Sequence, residues 1–185
     1  MDEIIEKVRA LISDLVSSDY QAYTYTTSAV FKIALPNATA TAVLVNGSAS
    51  GVTYTYDSTD QEVTVTSSLT AGDVVQVNFS YYSYSDTEII GYIRGALVYL
   101  SVQSSDDSTD YEIEDDEDIY PTPSNKDEDV ISLIASILIK PDYVVYKTST
   151  LEVRYPRNMD KDTKIEKLIT KYNWGLGNFG IIYLD

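Results

Sequence analysis

Carboxylates are the only abundant side chains here that could carry a reaction. The 185 residues hold 29 Asp and Glu, no His and no Cys. Paired carboxylates can run glycoside hydrolysis, and Glu62, Asp73 and Glu152 fall on or beside expected strands, but no spacing singles out a pair. The run Asp106-Asp107-Ser-Thr-Asp110-Tyr-Glu112 comes nearest to a calcium loop. It lacks the turn glycine and the closing Glu of an EF-hand, so it reads as a solvated acidic loop, with casual divalent binding as the alternative. Gly175-Leu-Gly177-Asn-Phe-Gly180 spells a dinucleotide fingerprint by letter only. It follows a helical pattern and opens none, so the phosphate-cradling context is missing. Seventeen Tyr and Trp174 could form a sugar-stacking platform, although alternating Thr and Tyr also describes an ordinary half-buried strand face.

The absences narrow the chemistry further. Without Cys there is no thiol nucleophile, disulfide, Cys-ligated zinc or iron–sulfur cluster. Without His there is no His-based triad and no ordinary general base near neutral pH. The expectation is therefore a protein that is not an enzyme and uses no cofactor and no metal.

Charge bounds the partners. The formal net charge is −16 and the pI about 4.1, which opposes sequence-independent nucleic-acid binding and docking on an anionic membrane. The opening MDEIIEKVRALISDL carries acids where a signal peptide needs bases. A soluble, non-secreted protein is expected, with the sequons at Asn37, Asn46 and Asn78 left unglycosylated. The charge is also polarised along the chain. Residues 1–101 hold 4 bases and 11 acids, 102–130 hold 1 and 12, and 131–185 hold 8 and 6.

The elements that must position these groups follow from periodicity. Ile4, Ile5, Val8, Leu11, Ile12 and Leu15 recur at three- and four-residue spacing and predict a helix over 2–15, capped by Asp2. From Tyr20 to Tyr84 a period of two takes over, with strands expected at 23–26, 29–34, 40–45, 52–56, 62–66 and 74–82. Asn46-Gly47, 57–60 and 69–73 are the turn signals between them. A capping box, Ser85 and Glu88, opens a second helix running to about Ser101. A third helix begins near 124–127 and stops at Lys140-Pro141. It is apolar around much of its circumference and so is expected at the centre. A short strand at 151–155 and a Lys-rich helix at 160–172 complete the pattern.

The fold class expected is α+β: a bundle of about four helices (1–19 and 85–173, with an acidic loop at 102–123) and an antiparallel barrel- or sandwich-like β-domain (20–84) inserted between helices 1 and 2. An extended arm, 174–185, ends the chain. Its Trp174, Phe179, Ile181, Ile182, Tyr183 and Leu184 are too apolar for a free tail. The arm either folds back onto its own domain or adds to a partner's groove or sheet edge. The basic fourth helix could meet an acidic face of a neighbouring copy, a heterologous contact of the kind that closes into rings.

This order of elements resembles the head–tail connector (adaptor, or neck) proteins of tailed bacteriophages. The segments that carry the resemblance are MDEIIEKVRALISDL, the β-insertion from VLVNGSASG to VNFSYYS, SDTEIIGYIRGALVYLS, DVISLIASILIKPD and DKDTKIEKLITKYN. The inserted β-domain departs from the shorter, mainly helical adaptors. The resemblance implies a virion neck protein made in the bacterial cytoplasm, forming a ring, typically of twelve copies, between the portal protein and a stopper or tail protein. It implies portal docking by Trp174, Phe179, Ile181, Ile182 and Tyr183, helped by Lys164, Lys167 and Lys171. An acidic loop of Asp106, Asp107, Asp110, Glu112, Glu114, Asp115, Asp116, Glu117 and Asp118 would suit a channel lining, because like charge keeps passing DNA from sticking. The alternative is a decoration or receptor- and glycan-binding module that uses the Tyr-rich β-domain.

Overall fold

Helical periodicity returns four times along the chain, and each time the structure builds a helix there. The computed structural model describes residues 1–35, 37–103, 110–114, 118–147, 152–173 and 181–183. The chain divides into two units, one of Met1–Asp14 with Asp86–Asp185 and one of Leu15–Ser85. Among the described residues the fold is mixed α+β, with four helices and several small sheets.

The first unit contains α1 (Asp2–Ile12), α2 (Asp86–Gln103), α3 (Asn125–Ile139) and α4 (Lys161–Asn173). As expected, α3 is central: every residue from Val130 to Ile137 is buried, including Ser132 and Ser136. Its start is a capping box in which Asp127 plays the usual Glu role: Asp127 Oδ2 accepts from the Ser124 backbone N–H at 3.1 Å, and Ser124 Oγ accepts from the Asp127 N–H at 3.4 Å. Gly95 lets α2 approach closely, since a Cβ there would stand 3.2 Å from Leu138 Cδ1. Helices α1 and α4 each pack on both α2 and α3, without forming a comparable contact with one another.

Helix α1 is shorter than its apolar pattern suggested. Ser13 takes a left-handed conformation (φ 56°, ψ 38°) and closes the helix through N–H bonds back to Ala10 and Arg9. Leu15 falls beyond this stop and is 74% exposed. Asp2 is the first helical residue rather than the cap; Met1 holds the cap position with no side-chain bond. Buried Arg9 ties the two chain crossings of this unit, donating from Nη1 to Asp14 and from Nη2 to Asp86, both at 2.6 Å.

The second unit holds six strands, β1 (Ser17–Thr24), β2 (Val30–Lys32), β3 (Ala38–Val45), β4 (Tyr54–Asp57), β5 (Glu62–Val65) and β6 (Val74–Tyr81). They form two antiparallel three-stranded sheets, ordered β1-β6-β3 and β2-β5-β4. The barrel half of the expectation fails: among the described residues the strands form two separate three-stranded sheets and no closed barrel. Both sheets feed one core through Phe31, Val63 and Val65 on one side and Val43, Val75, Val77 and Phe79 on the other. Asn46-Gly47 makes the turn its sequence announced, with φ of 51° and 81° and reciprocal bonds between Val45 and Ser48.

Two small sheets complete the first unit. Within the stretch expected as a loop, β7 (Glu112–Glu114) and β8 (Asp118–Tyr120) pair as an antiparallel hairpin, with Ile119 buried. Then β9 (Val145–Lys147), β10 (Glu152–Arg154) and β11 (Ile181–Tyr183) form a sheet in the order β11-β10-β9, with β11 parallel to β10.

Candidate functional site

The isolated carboxylates prove to be local structural fixtures. Asp73 accepts from the Thr70 N–H at 2.7 Å and from Asn46 Nδ2 at 2.8 Å, which joins two turns of the second unit. The Thr70 bond and then the Asn46 bond hold its carboxyl below the usual carboxylate range. Glu152 is held low by Arg154 and, next, by Lys147, which flanks it across the β9–β10 pairing. Glu62 stands in register with Lys32 and Asp57 on the neighbouring strands.

The tyrosines of the second unit are also mostly spent. Tyr23, Tyr25, Tyr54, Tyr56 and Tyr81 pack against its core. The Tyr56 hydroxyl donates to the Ala38 carbonyl at 2.5 Å, and that of Tyr23 to the Lys32 carbonyl. Tyr20, on edge strand β1, is 60% exposed, and Tyr82 and Tyr84 are half-buried outside that set.

What the first unit does present is an acidic cleft and, on α4, a surface of mixed charge. On the α1 flank, the starts of α1 and α2 and strand β8 enclose an open cleft of about 480 Å³. Asp2, Glu3, Asp86 and Asp118 line it, over a floor of Ile5 and Ile90. Asp86 already receives Arg9, and Asp118 receives the Met1 ammonium at 3.4 Å. Glu112 and Glu114 of the hairpin are exposed beside it in sequence register, Glu114 opposite Asp118. Asp110 is exposed as well. Among the described residues no three such groups converge tightly enough to hold a metal ion. Of the expected acidic lining, Asp106, Asp107, Asp115, Asp116 and Glu117 lie outside the described residues.

On α4, Lys161 and Lys171 are exposed and Lys167 is half-buried, but Asp160, Asp162 and Glu166 are exposed as well, so the expected basic face is a surface of mixed charge. Asp160 caps this helix, accepting from the Thr163 hydroxyl at 2.7 Å and its N–H at 3.0 Å; these two bonds hold its carboxyl low. Lys164 departs from the expected basic face. It is 2% exposed, and its Nζ donates to the Tyr143 carbonyl at 2.9 Å and to the Pro141 carbonyl. Its ammonium lies 5.7 Å from the Tyr155 ring centroid. Burial pulls its pKa below the ordinary lysine value, against the nearby Asp142 and Asp160. This lysine stitches α4 to the turn after α3 and is not offered to a partner.

The arm residues divide. Trp174 and Phe179 lie outside the described residues, as does Leu184. Ile181, Ile182 and Tyr183 form β11, paired with Glu152, Val153 and Arg154, so the backbone at these positions is engaged by its own chain.

Two features escaped sequence reasoning. Arg9 sits four residues after Ile5 and three before Ile12, on the buried face of α1, and a charge at that register was the available signal of a buried ion pair. The Tyr146–Tyr155–Lys164 cluster gave no comparable signal, because its members come from three elements. Tyr146 and Tyr155 meet edge to face at 6.0 Å between ring centres. No family model, curated protein or solved structure matches the chain.

Proposed function

We propose that this chain is a non-enzymatic virion structural protein, a head–tail connector that forms a ring between the portal and the stopper or tail of a tailed bacteriophage. The observation that carries this reading is the set of exposed acids on the β7–β8 hairpin and around the cleft at the starts of α1 and α2, in a chain of net charge −16. The exposed acids of the β7–β8 hairpin suit a surface past which DNA must slide without adhering. The terminal arm is the portal-docking element in this reading, with β11 as its resting position. The glycan-binding alternative is less supported, since five tyrosines of the second unit pack its core.

The test is binding to the portal ring of the same virus, with and without residues 174–185. The reading expects the truncated chain to keep its circular-dichroism spectrum and lose portal binding. Unimpaired binding by the truncated chain would contradict it.

A further inference from the structure

Strands β1, β3, β2 and β4 lie at the edges of the second unit's two sheets, and β1 alone is left open to a further strand. We infer that β1 of one copy pairs antiparallel with β1 of a second copy, joining their β1-β6-β3 sheets about a two-fold axis. The inference uses the second unit alone and does not rest on the connector reading.

An edge strand presents unpaired backbone groups, and proteins blunt such edges with bulges, charges, short length or cover. Three of the edges carry these devices. Strand β3 is bulged between Ala40 and Ala42, Val45 exchanges backbone bonds with Ser48, and the Tyr56 hydroxyl occupies the Ala38 carbonyl. Strands β2 and β4 are three and four residues long and carry Lys32 and Asp57. Strand β1 instead pairs with β6 without interruption over eight residues. Just beyond its end, Tyr25 exchanges backbone bonds with Gly72 and Asp73, which lead into β6. The odd-numbered residues of β1 therefore turn their backbone groups toward β6, and Ser18, Tyr20, Ala22 and Thr24 turn theirs outward. All four are exposed. Asp19 Oδ1 accepts from the Tyr20 N–H at 2.8 Å. Among the described residues no turn or side-chain bond covers the N–H groups of Ser18, Ala22 and Thr24.

Charge and shape select a second copy as the occupant. Copies of net charge −16 repel one another, so they approach most easily where charge is sparse, and β1 holds a single charged residue, Asp19. The antiparallel register with Gln21 opposite its own counterpart brings every outward group of β1 to a partner. It sets large Tyr20 against small Ala22, Ser18 against Thr24, and Asp19 against Tyr23, so no like charges stand opposite each other. The contact is isologous and closes on a pair.

Sedimentation velocity of the full chain is expected to show a monomer–dimer equilibrium that tightens as salt rises, because screening relieves the repulsion between copies. Ala22→Pro removes an outward N–H without touching the β6 ladder, and should weaken dimerisation by roughly tenfold or more. If the proline disturbs folding by circular dichroism, Y20K/A22K supplies the same loss by setting lysines against lysines. Mixing that variant with Y20E/A22E should restore pairing, now between unlike chains. Asp19→Ala frees the Tyr20 N–H, removes the one charge of the strand and should strengthen the dimer. The chain has no Cys, so introduced thiols report the register. S18C mixed with T24C should form a disulfide-linked pair on oxidation. S18C alone should not, since its two copies lie about 20 Å apart along the paired strands. A wild-type chain that is monomeric at every salt concentration, dimerisation indifferent to Ala22→Pro and Y20K/A22K, or S18C linking to itself in preference to T24C would overturn the inference. A monomeric chain whose portal binding is lost in Ala22→Pro would also overturn it, and would assign the β1 edge to a strand of another protein.

Discussion

At the residue scale, the buried polar groups set the strongest constraints. Arg9 neutralises Asp14 within the first unit while also reaching Asp86. Removing one partner of a buried pair costs about 3–5 kcal/mol, far more than losing an exposed pair. Arg9→Ala is therefore predicted to lower the urea midpoint severely, and a loss under about 1 kcal/mol would contradict the clamp. Tyr155 makes the opposite case. Its hydroxyl is buried without a hydrogen-bond partner, a penalty of about 1–3 kcal/mol. Tyr155→Phe should stabilise the protein by about 1 kcal/mol at neutral pH. Burial, and secondarily its neighbour Tyr146, raises the Tyr155 pKa well above the usual tyrosine value, and Tyr146 is raised mainly by burial too. With the folded pKa raised, both keep their protons in the native state while the unfolded chain ionises. Their contribution to stability is intact below pH about 10 and falls as pH rises beyond it. The variant should accordingly lose stability less steeply above pH 10 than the wild type in denaturant titrations. An equal slope would assign the alkaline loss to other groups.

At the element scale, helices were the most legible part of the fold and helix ends the least. Apolar residues at helical spacing located α1 and α2, the apolar circumference of 130–138 put α3 at the centre, and a Lys-rich run marked α4. The stripe extended α1 to Leu15 because periodicity cannot register that Ser13 adopts a left-handed stop. The capping box of α3 carries its own test. Ser124→Ala removes a side-chain acceptor from the helix start and should cost about 1 kcal/mol in chemical denaturation; an unchanged midpoint would mean the box is ornamental. Strand β9 went unread because three residues carry almost no pattern; what fixes it is its pairing with β10 and the burial of Tyr146 against Val153. Hairpin β7–β8 was hidden by composition. Its acids announce solvent, and only the Ile113–Ile119 pair, alternating with charge on both strands, records the pairing. Lys164 was misplaced for a related reason. Helical spacing put it with Lys167 and Lys171, but the carbonyls of Pro141 and Tyr143 that draw it inward come from a distant turn.

At the scale of the whole molecule, the informative property is where opposite charges sit. Composition alone disclosed the acidic middle and the slightly basic last third; in the structure Lys164 is buried and Asp160, Asp162 and Glu166 share the surface of α4, so the basic third does not become a basic face. The acidic middle gives the channel-lining assignment its test. Replacing Asp and Glu between 106 and 118 by Asn and Gln should slow DNA exit from assembled particles, and ejection at the wild-type rate would remove that role. The most direct measurement is quantitative mass spectrometry of purified virions, reporting copies of this chain relative to the major capsid protein. The connector account predicts roughly a dozen copies per particle, a closed ring at one vertex. Hundreds of copies, as for a decoration protein, or none at all would contradict it.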